Sequence, residues 1–133
     1  MKAYIAGPLW KPEERKKLEE IDKLCKELGF KTYLPHRDAG IYEKGNSKSF
    51  FEKDSKAIDE CKVIVAILDW QFVGSGTAWE IGYAYAKNIP VIGIVEDLKS
   101  LNTFDRMCVM TFNSVKLVDS IEQLKTELIN LQA

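Results

Sequence analysis

Residues 74–86 read GSGTAWEIGYAYA and set a carboxylate, Glu80, inside an apolar helical run, with Trp79 and Ile81 beside it and Ala84 one turn on. A solvated glutamate has no need of such neighbours. Just ahead, Gly74 and Gly76 relieve the backbone for a tight turn, and Ser75 and Thr77 bring hydroxyls to a helix N-terminus. That combination can cradle a phosphate or another oxyanion. It also reads as an ordinary capped helix start, with Ser75 or Thr77 as N-cap. Glu80 then has two bland roles: the capping-box partner of Thr77, or a carboxylate near the positive end of the helix dipole, worth ~0.5 kcal/mol.

Other residues could join it. Asp54, in FFEKDSKAID, reads on its own as a solvated helix-face residue or as a second carboxyl group. Tyr4 lies among apolar strand residues, as a core tyrosine with its hydroxyl at the end of a sheet would. Trp10 is a large aromatic just past a Gly-Pro turn, where packing has a weaker claim on it. His36 heads an HRD loop, and with no second histidine and no nearby cysteine it makes no metal site. Cys25, Cys61 and Cys108 are widely spaced and form no metal or redox motif. All three are expected to be packing thiols of a reducing cytosol.

The elements that would position these residues follow from periodicity. KAYIAG is a strand ending at a Gly-Pro turn. PEERKKLEEIDKLCKEL repeats Leu18, Ile21, Leu24, Cys25 and Leu28 at helical spacing and closes at Gly29. FKTYLP is a second strand ended by Pro35, and residues 36–47 form a polar loop. A helix over 48–60 precedes KVIVAIL, whose continuous β-branched run marks a strand buried on both faces. Then come a helix over 77–87, the strand PVIGIV, a variable segment over 96–112 containing a helix, the strand SVKLV, and a last helix over 121–131 capped by Ser120.

Strands alternating with helices imply right-handed crossovers and a parallel sheet covered on both faces. The expected fold is an α/β, flavodoxin-like, doubly wound domain spanning residues 1–133, with a five-stranded sheet in a three-layer α/β/α stack. In such sheets ligands bind beyond the carboxyl ends of the strands. The loops there are GPLW, with Gly7 and Pro8; PHRDAG, with His36, Arg37 and Asp38; and DWQFVGSGT, opened by Asp69. Architecture alone therefore aims Glu80 at the crevice.

Size and charge narrow the classes. The chain has 133 residues, enough for one cored domain, and a net charge of −1 that gives no bulk attraction to nucleic-acid polymers or membranes. No apolar run approaches the ~20 residues that cross a bilayer. The start MKAYIAGPLW lacks a signal-peptide pattern, so a cytoplasmic protein is expected.

Four stretches together resemble the nucleoside 2-deoxyribosyltransferase family: YIAGPLW, PHRDAG, the aspartate of EKDSKAIDECKVIVAILD, and GSGTAWEIGYAYAKNIPVIG. The resemblance implies the fold above, cleavage of the N-glycosidic bond of nucleosides, and a homo-oligomer with shared sites. It assigns Glu80 as nucleophile, Tyr4 as the hydroxyl that orients it, Asp54 as handler of the departing base's proton, and Trp10 as an aromatic against the base. FDRM resembles the segment a neighbouring subunit lends to the site, which implicates Asp105 and Met107.

The chemistry is that of a retaining glycosidase. A carboxylate attacks the anomeric carbon through an oxocarbenium-like transition state, and a second, protonated carboxyl group serves the leaving base. Another base or water then takes the sugar, with no metal or redox cofactor. An apolar setting for Glu80 fits, because a poorly hydrated carboxylate is the better nucleophile.

The sequence departs from the family at the sugar's 5′ end. The transferases commonly carry an aspartate six residues before the nucleophile, and related 5′-monophosphate hydrolases carry serine. This chain has Gly74, with Ser75 next to it, and GSGT also resembles the GxGTxxE segment of cytokinin-activating phosphoribohydrolases. The expectation is deoxyribosyl transfer between bases on free 2′-deoxynucleosides. Hydrolysis of deoxynucleoside 5′-monophosphates is the alternative, and a non-catalytic nucleotide sensor a further one.

Overall fold

The computed structural model describes residues 1–40, 43, 45–68, 73–96 and 108–133. β1 (Lys2–Ala6), β2 (Lys31–Tyr33), β3 (Val63–Ile67), β4 (Val91–Ile94) and β5 (Lys116–Val118) form one sheet in the order β2-β1-β3-β4-β5. All four pairings are parallel. This is the flavodoxin-like order, with its switch point between β1 and β3. The helices are α1 (Pro12–Glu27), α2 (Pro35–Asp38), α3 (Ser47–Glu60), α4 (Ser75–Ala86), α5 (Val109–Ser114) and α6 (Ile121–Gln132).

Local sequence explains the ends of α1. Pro12 opens it, the Glu14 carboxylate accepts the Lys11 N–H at 2.8 Å, and Gly29 takes φ 94° just beyond its last turn. A side chain would strain that left-handed conformation, which glycine adopts freely. Ser120 caps α6 by accepting the Gln123 N–H at 3.2 Å.

Side chains alternate across a strand, and the alternation sorts the core into two layers. Ala3, Ile5, Val63, Val65 and Ile67 pack against Leu18 and Ile21 of α1 and Leu124 and Leu128 of α6. Tyr4, Ala6, Ile64 and Ala66 face the other way, onto Ala57 and Ile58 of α3 and Ile81 and Ala84 of α4. Every residue of β3 is buried, as its unbroken apolar run predicts. The parity of Tyr4 thus places its ring in the same layer as the helices that carry Asp54 and Glu80.

Three local expectations change. The polar loop contains a helical turn, α2, because Pro35 pre-sets its first residue and the Asp38 carboxylate accepts the Leu34 N–H at 2.8 Å. Helix α4 begins at Ser75 with Gly74 as N-cap, so neither Ser75 nor Thr77 caps it by a side chain. Cys25 and Cys61 are buried, but Cys108 is exposed at the start of α5 and is not a packing thiol.

Candidate active site

At the carboxyl end of the sheet, beside the switch point, lies a cleft of about 550 Å³. That is within the ~300–1,000 Å³ of small-molecule sites. Gly7, Pro8 and Trp10 reach it from the loop after β1, and Asp54 from α3. Gly74, Ser75, Gly76, Thr77 and Glu80 reach it from the start of α4. Gly7 has a steric reason to be glycine. A Cβ there would stand 2.9 Å from Leu18 Cδ2 and 3.4 Å from Ile67 Cβ, so a side chain at this point would have to push the buried Leu18 aside.

Glu80 lies in the second turn of α4 and does not serve as a cap. Its Oε2 accepts a hydrogen bond from the hydroxyl of Tyr4, a fully buried residue of β1. Burial pushes the Glu80 carboxyl up to about 7; the Tyr4 hydrogen bond works against this, and the nearby charge of Asp54 adds to it. Tyr4 is pushed in turn far above the ordinary phenol range by burial and by Glu80, so it remains a hydrogen-bond donor.

A second phenol serves the second carboxylate. The Tyr33 hydroxyl donates to Asp54 Oδ1 at 2.8 Å. The Asp54 carboxyl is raised by burial, against the lowering effect of that hydrogen bond and of Lys53. Tyr4 and Tyr33 are register partners on β1 and β2, and their rings stack with centroids 5.3 Å apart at 14°. The sequence reading missed Tyr33. KAY of the first strand and KTY of the second carry the two tyrosines at matching positions, but only the strand pairing sets them side by side.

The mouth of the cleft is aromatic. Trp10 is 74% exposed, and Phe51 and Trp79 line the same cleft with their rings edge to face at 5.4 Å. Phe51 and Trp79 were also missed, although they flank Asp54 and Glu80, one helical turn before the first and one residue before the second. A bare helix start completes the lining. A Cβ at Gly74 or Gly76 would meet no atom within 4 Å, so packing within the chain does not require glycine at either position. Their smallness opens the first-turn N–H groups to whatever enters the cleft. Among the described lining residues, Lys11 is the cationic side chain, against the carboxylates of Glu14, Asp54 and Glu80.

His36, Arg37 and Asp38, expected at the site, do not line it; of that segment only Pro35 does. The guanidinium of Arg37 donates to Asp22 at 3.0 Å, to the Thr32 carbonyl at 3.0 Å and to Asp38 at 2.7 Å. His36 Nε2 lies 3.0 Å from Glu19 Oε1. These bonds fasten α2 to α1 and to the edge strand β2, which turns the polar side chains away from the cleft. Asp69, Asp105 and Met107 lie outside the described residues.

A cleft with two phenol-held carboxyl groups, at the switch point of a flavodoxin-like sheet, defines a class, and comparisons with known proteins define the family. The family model described as nucleoside 2-deoxyribosyltransferase matches residues 3–123, and the chain belongs to that family. It is 30% identical over 142 residues to a protein of Thermofilum pendens (strain DSM 2475 / Hrk 5) whose name assigns it, provisionally, as 2′-deoxynucleoside 5′-phosphate N-hydrolase 1; the match covers 96% of this chain and 95% of that one. A conserved protein from Enterococcus faecalis V583 has a similar structure, with TM-score 0.82, 27% identity and 98% of each chain covered. The 2-deoxyribosyltransferase of Bacillus psychrosaccharolyticus shares the fold, with TM-score 0.75, 20% identity and 96% of each chain covered.

Proposed function

We propose that the protein cleaves the N-glycosidic bond of 2′-deoxynucleosides and transfers the deoxyribosyl group to another base. The observation that carries this reading is the Tyr4–Glu80 hydrogen bond at the wall of a cleft that also holds Asp54. A carboxylate oxygen of Glu80 attacks the anomeric carbon while the C–N bond breaks and its electron pair leaves with the base. Asp54 gives that base a proton. Tyr4 leaves the other oxygen of Glu80 free to attack. A second base, entering the place of the first, takes the sugar and returns the proton to Asp54.

Two features favour transfer between free nucleosides. The aromatic walls formed by Trp10, Phe51 and Trp79 suit a flat base and displace water from the glycosyl-enzyme, which gives an acceptor base time to arrive. Even with Asp54 protonated, Glu14 and the ionised Glu80 outnumber Lys11 among the described lining residues, which disfavours a phosphate dianion.

A second reading rests on the open N-terminus of α4. The bare amides at Ser75, Gly76 and Thr77, with Lys11 in the same cleft, could hold a 5′-phosphate, and the enzyme would then be a deoxynucleoside 5′-monophosphate hydrolase. The name of the Thermofilum relative points the same way.

The experiment is incubation with deoxynucleosides and their 5′-monophosphates, with and without a second free base, followed by chromatography. Transfer predicts a new deoxynucleoside that depends on the added base. Free base and sugar phosphate from the monophosphate alone would replace it with the second reading. Binding without release of base from either class would contradict both and leave a nucleotide sensor.

A further inference from the structure

We propose that Tyr33 is a positioning residue that holds the carboxyl group of Asp54 in place for proton donation to the leaving base, an inference that rests on the N-glycosidic reading above. Neither the resemblance to the family nor the sequence pattern assigns this residue a part.

The geometry fixes the Tyr33 hydroxyl from several sides. Its backbone is held in the β1–β2 ladder opposite Tyr4, its ring is stacked on the Tyr4 ring, and its hydroxyl reaches Asp54 Oδ1 at 2.8 Å. Asp54 itself stands on a helix, with two side-chain torsions free to swing the carboxyl group. Tying Oδ1 to Tyr33 leaves Oδ2 as the oxygen that carries the proton. When that proton passes to the base nitrogen, the electron pair of the C–N bond goes to the base and negative charge appears on Asp54. The Tyr33 hydrogen bond strengthens as that charge grows, because bonds to ionised acceptors are about twice as strong as neutral ones. The bond therefore acts chiefly in the transition state, where an interaction raises kcat.

The groups that face Asp54 set the sign of the pH effect. Tyr33 comes from β2, Tyr4 from β1, Glu80 from α4 and Lys53 from α3. Of these, Tyr33 and Lys53 favour the ionised carboxylate, against the burial that favours the neutral one. Removing the Tyr33 hydroxyl leaves burial less opposed, so Asp54 keeps its proton to higher pH. The variant should be a slower acid that stays protonated over a wider range.

The test is Tyr33→Phe, which keeps the stacked ring and removes one hydroxyl, assayed on two substrates. 2′-Deoxyguanosine leaves as a poor base that needs protonation, whereas 7-methyl-2′-deoxyguanosine already carries a positive charge and leaves without it. The expected result is a fall in kcat of ~10–100-fold on deoxyguanosine and under ~3-fold on the methylated substrate, with KM within ~3-fold on both. The ratio of the deoxyguanosine rate to the methylated-substrate rate, which falls as Asp54 loses its proton, should hold to higher pH in the variant. The methylated substrate doubles as the folding control. Equal losses on both substrates, or a rate ratio whose pH dependence does not move, would overturn the role of Tyr33. Glu80→Gln run beside it separates the two claims. Full base release in that variant contradicts the functional reading itself, while a dead Glu80→Gln with a wild-type-like Tyr33→Phe removes only this inference.

Discussion

The Tyr4 hydroxyl donates to Glu80 across 76 positions of sequence, from the third residue of the first strand to the second turn of α4. The bond opposes the burial that lifts the Glu80 carboxyl to about 7, and the charge of Asp54 acts in the opposite sense. In the proposed mechanism Glu80 attacks as the ionised carboxylate, so on a substrate that needs no acid the acid limb of the pH profile should report it. Tyr4→Phe should move that limb to higher pH, and Asp54→Asn should move it to lower pH. Both are measured as kcat/KM on 7-methyl-2′-deoxyguanosine, which does not need an acid. Shifts in the same direction in the two variants would contradict this electrostatic account.

Asp54→Asn should also separate substrates by leaving group. Loss of the donor should cost ~10²-fold or more on 2′-deoxyguanosine and little on its 7-methyl derivative. Equal losses on both would mean that Asp54 positions the sugar and does not supply the proton.

Stability carries the same signature. Glu80 keeps its proton to about pH 7 in the folded protein and to its ordinary 4.5 when unfolded. Between those values the folded state binds more protons, so stability falls as pH rises through the window and levels off above it. The full shift corresponds to ~3 kcal/mol at most, and to less where water in the cleft reaches the carboxylate. Glu80→Gln cannot ionise, so its Tm advantage over the wild type should be small at pH 4.5 and grow towards pH 7.5. A constant difference across that range would show that Glu80 is not desolvated.

Much of this site was legible in the sequence because its residues sit on strongly periodic elements. Tyr4 follows strand parity, and Glu80 is conspicuous as a carboxylate in an apolar helix. Tyr33 was not legible as a functional residue, since a tyrosine in a short edge strand looks like packing until the β1–β2 register sets it against Tyr4. The HRD segment misled for the opposite reason. A polar loop at the carboxyl end of a strand suggests a ligand contact, but Asp22, 15 residues earlier on α1 and largely buried, draws Arg37 towards itself. A buried carboxylate partner cannot be read from local composition. The capping role expected of Ser75 or Thr77 failed because glycine also starts helices well, and here it leaves the amides bare.

The bare start of α4 is where the two readings of the substrate's 5′ end divide. Charge-assisted hydrogen bonds contribute ~1.5–3 kcal/mol each, so a true phosphate site should prefer the monophosphate by ~10²-fold or more. The expected outcome is the reverse, with higher kcat/KM on the free deoxynucleoside and a change of less than tenfold in Ser75→Ala. A strong monophosphate preference that collapses in Ser75→Ala or Lys11→Ala would establish the hydrolase reading in its place.

The central claim is that Glu80 forms a covalent bond to the sugar. A 2-fluoro-2-deoxy nucleoside slows both steps of the reaction and should leave a glycosyl-enzyme long enough for mass spectrometry of the intact protein and its peptides. The account predicts one added fluorodeoxyribosyl group, located on Glu80 and absent from Glu80→Ala, whose base release should fall by ~10³-fold or more. An adduct on another residue, or near-normal base release by folded Glu80→Ala, would contradict it.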